Sequence, residues 1–236
     1  MHPILTNYLD RFTNLSSNQV TNSDIKFYTN YSTEEHYSKL PYLYDIENFC
    51  LRLYKAYKEN QKICIYSDYD TDAITATGVM YWGLIEFGFQ KELISYYAPD
   101  RFIEGYGINL EAIKKLSKDN DLIISVDCGI NSVAEADFLL SEKCDLIITD
   151  HHLLVGEIPK AISVCNPRLS DYYKAEAQGK EINKVLLNQF PEAVKWLNEL
   201  KKSPKNYVSH SVTGVGVVWF VLVWYKYFLE SIEALN

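Results

Sequence analysis

The stretch ICIYSDYDTDAITAT, residues 63–77, places an apolar run directly before three aspartates at alternate positions, Asp68, Asp70 and Asp72. Carboxylates crowded this closely repel one another, which raises their pKa values unless a positive charge lies nearby. A divalent cation would supply that charge. The stretch therefore predicts a strand that ends in a metal site. The alternative is an acidic surface loop, and the rest of the sequence is needed to choose between the two.

Two other uses of the D-x-D pattern fit the residues less well. A calcium-binding EF-hand loop needs Gly at its sixth position and Glu at its twelfth, where this chain has Ala73 and Val79. The strand-D-x-D-x-T arrangement of the haloacid dehalogenase superfamily needs Thr where Asp72 stands. The EF-hand is therefore excluded, and the dehalogenase arrangement is weakened but stays open at this point.

Strand-like and helix-like segments alternate regularly around this stretch. The apolar, β-rich runs are residues 62–67, 93–97, 122–126, 146–149 and 161–165. Helical spacing of apolar residues occupies residues 45–60, 73–88, 109–118, with Asn109 as N-cap, and 132–141. Near-continuous apolar strands separated by helices are typical of sheets covered on both sides. The pattern predicts an α/β fold with a parallel, doubly wound sheet and helices on both faces.

The remaining segments suggest how the chain is organised into domains. Residues 1–44 are polar with weak periodicity and are interpreted as an N-terminal wrapping segment. Residues 45–236 form the predicted core, with an insertion at 170–211 that contains one amphipathic helix at 184–202. A final helix is predicted over 212–236. Its apolar run of about 14 residues is short for a membrane span, so no membrane association is expected.

Charge and cysteine content narrow the class of protein. The formal net charge of −8 argues against a protein that coats nucleic acid generally, because such affinity comes from neutralising phosphates. The five cysteines are an odd number without a C-x-x-C pair, which is typical of buried thiols in a reducing compartment. The N-terminal residues lack a signal-peptide pattern, and the cytoplasm is the expected location.

The polar residues that follow three of the predicted strands should meet at one edge of the sheet. They are Asp68, Asp127 and Asp150, the last followed by His151 and His152. Ligands bind beyond the carboxyl ends of the strands in such sheets. Carboxylate and imidazole ligands suit Mn²⁺, and less selectively Mg²⁺ or Zn²⁺. Two such ions about 3.5–4 Å apart are a common device for cleaving phosphate esters.

Six motifs in this order resemble the DHH phosphoesterases and, within them, the RecJ-like single-strand-specific exonucleases. They are SDYDTDAITAT, PDRFIEGYGIN, SVDCGI, TDHHL, CNPRLSD and TGVGVVW, and the resemblance extends over residues 44–219. The RFIEGYG turn separates RecJ-like chains from the pyrophosphatases and short-oligonucleotide phosphatases of the family. The resemblance implies a metal-dependent phosphodiesterase that hydrolyses single-stranded DNA, in preference to RNA, from 5′ to 3′ during DNA repair or recombination.

The resemblance also implies a role for each site residue, with two Mn²⁺ or Mg²⁺ ions as cofactors. Metal ligands are expected to be Asp68 and Asp70 for one ion, Asp72 and His151 for the other, and Asp127 bridging both. His152 would face the scissile phosphate, Asp150 would orient the histidines, and Arg101, Gly105, Gly107 and Asn109 would contact substrate.

The sequence departs from the family pattern in three respects. Ala73 replaces a glycine that follows the first motif, and residues 166–214 form a longer segment than the family leads us to expect. A fourth metal-binding aspartate and a C-terminal substrate-binding domain are absent from these residues, so a further part of the protein or another chain is expected to complete the site. Two alternatives stay open: a non-catalytic scaffold in a replication or repair assembly, and a phosphatase of short oligonucleotides or cyclic dinucleotides.

Overall fold

In the computed structural model, which describes residues 40–100, 102–170, 181–202 and 207–234, parallel strands form one sheet. The strands are β1 (Ile63–Ser67), β2 (Ile94–Tyr97), β3 (Leu122–Val126), β4 (Asp145–Thr149) and β5 (Ser163–Cys165). Their order is β2-β1-β3-β4-β5, and every neighbouring pair is parallel. The central strands β1 and β3 are buried along their whole length, as expected for a sheet covered on both faces.

Helices cover both faces of the sheet, which confirms the predicted fold class. The described helices are α1 (Ile46–Lys58), α2 (Thr71–Glu86), α3 (Leu110–Leu116), α4 (Val133–Ser141), α5 (Lys184–Gln189), α6 (Ala193–Lys202) and α7 (Gly214–Ser231). On one face, α3 and α4 share a core with alternate side chains of the strands, such as Tyr66, Ile123 and Ile148. The other face is covered by α1, α2 and α7.

The order of the strands identifies where a ligand would bind. β1 leads through α2 to its neighbour β2, whereas β3 leads through α4 to β4 on the opposite side. β1 and β3 are neighbours, and the helices that follow them, α2 and α4, lie on opposite faces of the sheet. A crevice therefore opens between the carboxyl ends of β1 and β3. Asp68 follows β1 and Asp127 follows β3, so the fold places both side chains at this crevice.

The apolar run near the C-terminus forms the central helix of one face. In α7, Val217, Val221, Tyr225 and Phe228 are fully buried, and the helix packs along α2. The helix ends at Ser231, so the prediction that it continues to residue 236 is wrong. Among the described residues, no helix has both the length and the apolar character needed to cross a membrane.

The predicted single helix at residues 184–202 is two helices, α5 and α6. Pro191 causes the break, because a proline disfavours helical geometry at the preceding residue and lacks the amide that would continue the helix. Phe190 accordingly leaves the helical region, with φ −130° and ψ 72°. Trp196 of α6 is buried against Phe228 of α7, with ring centroids 4.9 Å apart. The domain boundaries stay predictions, and residues 1–39 of the proposed wrapping segment lie outside the described part.

Candidate metal centre

Asp150, at the end of β4, anchors both histidines that follow it. Its side chain is 1% exposed, and Oδ2 accepts a hydrogen bond from the amide of Ile130 at 2.9 Å. Oδ1 accepts from the amides of His151 and His152 at 2.7 and 3.1 Å and contacts Nδ1 of His152 at 2.8 Å. Because a carboxylate accepts, Nδ1 carries the proton, and the hydrogen bond raises the pKa of His152. This geometry would allow Asp150 to orient His152, and that role stays a prediction.

Asp127 carries a buried carboxylate oxygen without a hydrogen-bond donor. The residue follows β3 with φ at +60°, and its amide donates to the carbonyl of Thr149 at 2.8 Å. Oδ1 is buried and accepts no hydrogen bond, although Nε2 of His151 lies 3.1 Å away. Burial, and then the charges of Asp72 and Asp70, raise the pKa of Asp127 to about 8. Within the described residues, no lysine or arginine forms an ion pair with this carboxylate, and the nearest basic group is the imidazole of His151.

The side chains around this oxygen fit a divalent cation. One ligand atom each from Asp127, His151 and His152 lies within 4.8 Å of the others, and Oδ2 of Asp72 is 3.9 Å from Nε2 of His151. A cation between them would neutralise the buried carboxylate and would accept the lone pair of an imidazole nitrogen. The donor set of carboxylate oxygen and imidazole nitrogen matches the preference of Mn²⁺.

The N-terminus of α7 fixes Asp72, a contact that joins distant parts of the chain. The amides of Gly214 and Val215 donate to the two oxygens of Asp72 at 2.7 and 2.9 Å. A carboxylate at this position also interacts favourably with the helix dipole. Gly214 packs so closely on Asp127 that a Cβ at this position would overlap Oδ1. The first turn of α7 therefore forms one wall of the metal centre.

Asp68 and Asp70, the other two aspartates of the first motif, lie at the border of the metal centre. Asp68 is 3% exposed, its Oδ1 accepts from the amide of Tyr69 at 2.8 Å, and burial raises its pKa. Asp70 caps α2 by accepting from the amide of Ala73 at 2.9 Å. Within the described residues, no cluster of potential ligands at the 4.8 Å spacing includes these two aspartates. Their assignment to a separate ion stays a prediction.

Sequence comparison identifies the family of the chain. The sequence model of the DHH family, N-terminal domain, matches residues 62–224. The chain belongs to the DHH family. The DHH domain takes its name from the kind of motif formed here by Asp150, His151 and His152, and the two histidines of this motif meet Asp127 at the centre.

Curated relatives of this DHH domain are RecJ proteins. The single-stranded-DNA-specific exonuclease RecJ of Bacillus subtilis (strain 168) is 40% identical over 118 residues, covering 50% of this chain and 15% of the relative. The RecJ of Escherichia coli (strain K12) is 28% identical over 180 residues, covering 76% of this chain and 25% of the relative. The chain thus spans only about a quarter or less of the length of these curated relatives.

Solved structures agree with the DHH fold. A crystal structure of exonuclease RecJ bound to manganese superposes with a TM-score of 0.57 at 25% identity, covering 80% of this chain and 39% of that chain. The RecJ of Thermus thermophilus in complex with Mn²⁺ gives a TM-score of 0.53 at 23% identity, covering 80% of this chain and 22% of that chain. At 23% identity, the similarity to the Thermus thermophilus structure shows a shared fold only.

The glycine-rich turn of the DHH domain lies beside the histidines. Gly105 and Gly107 have φ values of +77° and +86°, a conformation that side chains other than glycine rarely adopt. They flank Tyr106, whose ring packs edge-on against His152 at 5.7 Å. Asn109 is the N-cap of α3, as predicted, since Oδ1 accepts from the amide of Ala112 at 3.0 Å. Substrate contacts of these residues stay predictions, and Arg101 lies outside the described residues.

Four residues of the site have no role in the sequence-based assignment. Tyr106 packs on His152, Gly214 lies against Asp127, and Asn166 and Arg168 bind the backbone of the histidines. Three of these residues lie in the motifs CNPRLSD and TGVGVVW. The resemblance of these motifs to RecJ was therefore the signal in the sequence that could have identified them. No local pattern reveals which distant residue a side chain or a helix N-terminus contacts.

Asp150→Asn is expected to lower any hydrolytic activity of the DHH domain by roughly 10–100-fold, the usual cost of losing a residue that orients the histidines of a metal site. The amide keeps an oxygen for the backbone donors but loses the charge that holds the proton on Nδ1 of His152. Steady-state kinetics would measure the loss, with circular dichroism to verify folding. Unchanged activity in folded protein would contradict an orienting role.

The stability of the metal-free protein should depend on pH through Asp127. Its raised pKa of about 8 means that the folded protein holds this proton more tightly than the unfolded chain does. The resulting stability is complete below the ordinary pKa of an aspartate, declines as pH rises, and is lost above about 8. Thermal unfolding at a series of pH values should show this decline. Added Mg²⁺ should raise Tm more at pH 8 than at pH 6, because the cation competes with the proton.

Proposed function

We propose that this DHH domain is the core of a RecJ-like nuclease that hydrolyses phosphodiester bonds of single-stranded DNA. The observation that carries the proposal is the buried, donorless oxygen of Asp127 beside Nε2 of His151. It lies at the crevice where the fold binds ligands. The similarity to RecJ proteins named as single-stranded-DNA-specific exonucleases supports the choice of substrate.

The cofactors proposed are Mn²⁺ or Mg²⁺, as two ions. Asp127, His151 and Asp72 would hold one ion, and Asp68 and Asp70 would extend the centre toward a second with Asp127 shared between them. When bound, divalent cations supply positive charge that polarises a phosphate and lowers the pKa of water. This chemistry compensates for the strongly acidic site, which would otherwise repel a nucleic acid backbone.

His152 is the proposed proton donor to the leaving oxygen. Asp150 holds the proton of Nδ1, which leaves Nε2 as the nitrogen that exchanges a proton with substrate. The same contact raises the pKa of His152, so more of the imidazolium form is available near neutral pH. Tyr106, packed on the ring, restricts its motion. Asp150 therefore acts through His152 and has no direct contact with substrate in this scheme.

A labelled single strand tests the proposal. The protein, produced with all residues that its gene encodes, would be incubated with Mn²⁺ and DNA labelled at either end. We expect early release of the 5′ label and slower cleavage of duplex DNA and RNA, and no turnover with Asp127→Asn. Early release of the 3′ label would contradict the proposed polarity, and faster cleavage of dinucleotides than of long strands would favour a short-oligonucleotide phosphatase.

The cellular setting follows from the same proposal. A nuclease of this specificity would act in the cytoplasm on strands exposed during DNA repair or recombination. We propose that a further aspartate and a substrate-binding domain, supplied by other residues of the protein or by a partner chain, complete the centre. Absence of turnover together with absence of divalent cation binding in the whole protein would instead support a non-catalytic scaffold.

A further inference from the structure

Two residues that follow β5 bind the backbone of the DHH histidines. Nδ2 of Asn166 donates to the carbonyl of His152 at 3.0 Å, and Nε of Arg168 donates to the carbonyl of His151 at 2.7 Å. The amide of Arg168 in turn donates to Oδ1 of Asn166 at 2.9 Å. Asn166 is fully buried. We call this pair, Asn166 and Arg168, the histidine clamp.

The clamp completes the hydrogen bonding of the histidine backbone. The amides of His151 and His152 donate to Asp150, and their carbonyls accept from the clamp. Each histidine is therefore held at both its backbone N–H and its backbone carbonyl, and the peptide group between them is held on both sides. Since a side chain leaves the backbone at a fixed angle, fixing these peptides limits where the two imidazole rings lie. A metal-binding imidazole needs such support to keep its productive orientation.

Arg168 is directed at the backbone rather than at a charge. Within the described residues, no carboxylate lies within ion-pair distance of its guanidinium, although the centre beside it contains several carboxylates. The contact that its side chain makes is to a neutral carbonyl. An arginine placed only to balance the acidic site would be expected to pair with one of those carboxylates. The contact favours a positioning role over charge neutralisation.

We propose that Asn166 and Arg168 are positioning residues: they set the affinity of the centre for divalent cations by fixing the ligand His151, and they place the proposed proton donor His152. This inference rests on the proposed function for its catalytic consequence. Its effect on cation binding is separate from catalysis, because ligand geometry determines binding before any substrate is present.

Asn131 offers a matched control beside the same loop. Its Nδ2 donates to the carbonyl of Leu153 at 3.0 Å, and its Oδ1 accepts from the amide of Val155 at 2.6 Å. Asn131 thus makes the same kinds of contact to Leu153 and Val155. These two residues lie just beyond the histidines and are not part of the centre. Asn131→Asp and Asn166→Asp remove the same donor from neighbouring carbonyls.

Calorimetric titration of the whole protein with Mn²⁺, without substrate, tests the clamp. We expect Arg168→Met to weaken binding by roughly 10–100-fold, because Arg168 holds the carbonyl of the proposed ligand His151. Asn166→Asp should weaken binding by a smaller factor, because Asn166 holds the carbonyl of the neighbouring His152. Arg168→Lys restores a single donor and should bind several-fold more tightly than Arg168→Met, while Asn131→Asp should match the wild type. Wild-type affinity in Arg168→Met, or equal losses in Asn131→Asp and Asn166→Asp, would overturn the proposal. If Asn166→Asp does not fold, the Met and Lys variants of Arg168 decide the question.

Kinetics on single-stranded DNA separates positioning from substrate binding. At Mn²⁺ concentrations that saturate each variant, misplaced histidines should lower kcat and leave KM nearly unchanged. A raised KM with unchanged kcat and unchanged Mn²⁺ affinity in Arg168→Met would show that this arginine binds substrate phosphate, and would overturn its positioning role. If the wild type binds Mn²⁺ but does not cleave DNA, the proposed function fails, whereas the titration still tests the clamp.

Discussion

Asp127→Asn is expected to abolish tight divalent cation binding and at the same time to stabilise the metal-free protein at alkaline pH. The substitution removes the charge of the oxygen that lies beside Nε2 of His151. Losing a direct ligand should cost more than the roughly 10–100-fold typical of an outer partner. Asparagine also tolerates the positive φ of this position better than most residues do, so the backbone should keep its path.

The gain in stability has the same origin as the loss of binding. Above about pH 8 the wild type buries an ionised carboxylate whose Oδ1 has no donor, and an unsatisfied buried group costs about 1–3 kcal/mol. The neutral amide avoids the cost of burying a charge, and its NH₂ group can donate to the neighbouring imidazole. Thermal unfolding at pH 9 without divalent cations should therefore give a higher Tm for the variant.

Asp119→Asn is the control for this experiment. Asp119 is exposed, beyond the end of α3, and its substitution makes the same change in net charge away from the centre. It should alter neither cation affinity nor Tm appreciably. A destabilised Asp127→Asn at pH 9, or one that binds Mn²⁺ as the wild type does, would contradict the assignment of Asp127 as the buried ligand.

Gly214→Ala is expected to disrupt the centre although it changes no charged group. The added methyl would overlap Oδ1 of Asp127, so either the carboxylate or the first turn of α7 has to move. Movement of α7 would also weaken the hydrogen bonds from Gly214 and Val215 to Asp72. Overpacking of this kind typically costs about 1–3 kcal/mol. Cation affinity should fall at least about tenfold, because a shift of the ligand breaks its geometry.

Gly78→Ala is the matched control for this substitution. Gly78 lies within α2, and a Cβ there would meet no atom within 4 Å. Alanine in a helix interior is favoured over glycine by about 1 kcal/mol, so this variant should be slightly more stable and should bind Mn²⁺ normally. Titration and chemical denaturation of both variants provide the comparison. Equal affinity in the two would show that α7 does not border the centre.

The sequence predicted the parts of the fold that depend on local pattern. Apolar runs indicated the strands, and the rule that ligands bind beyond their carboxyl ends brought Asp68, Asp127 and Asp150 to one edge. The N-cap at Asn109 was likewise predictable, because its oxygen binds an amide three residues away. These inferences use only neighbours in sequence and the regularity of parallel sheets.

Contacts between residues far apart in the sequence could not be predicted from local patterns. The hydrogen bond from Gly214 to Asp72 joins residues 142 positions apart, and neither segment has a pattern that names the other. The clamp by Asn166 and Arg168 acts on backbone carbonyls, which every residue has and which therefore leave no signal in a sequence. The break at Pro191 is different, because the proline itself marks the break in the sequence. The apolar residues keep helical spacing on both sides of it, so spacing alone predicts a single helix.

The contact of Asp72 with α7 also has a consequence for how the protein is made. Domains form while the ribosome adds residues from the N-terminus onward, so the strands that bear the aspartates and histidines leave the exit tunnel before residue 214. Until α7 follows them, Asp72 has no helix amides to hold it and Asp127 lacks one wall. A nascent chain would therefore not form this cation-binding geometry before α7 has docked, which delays any hydrolytic capacity at least until that step.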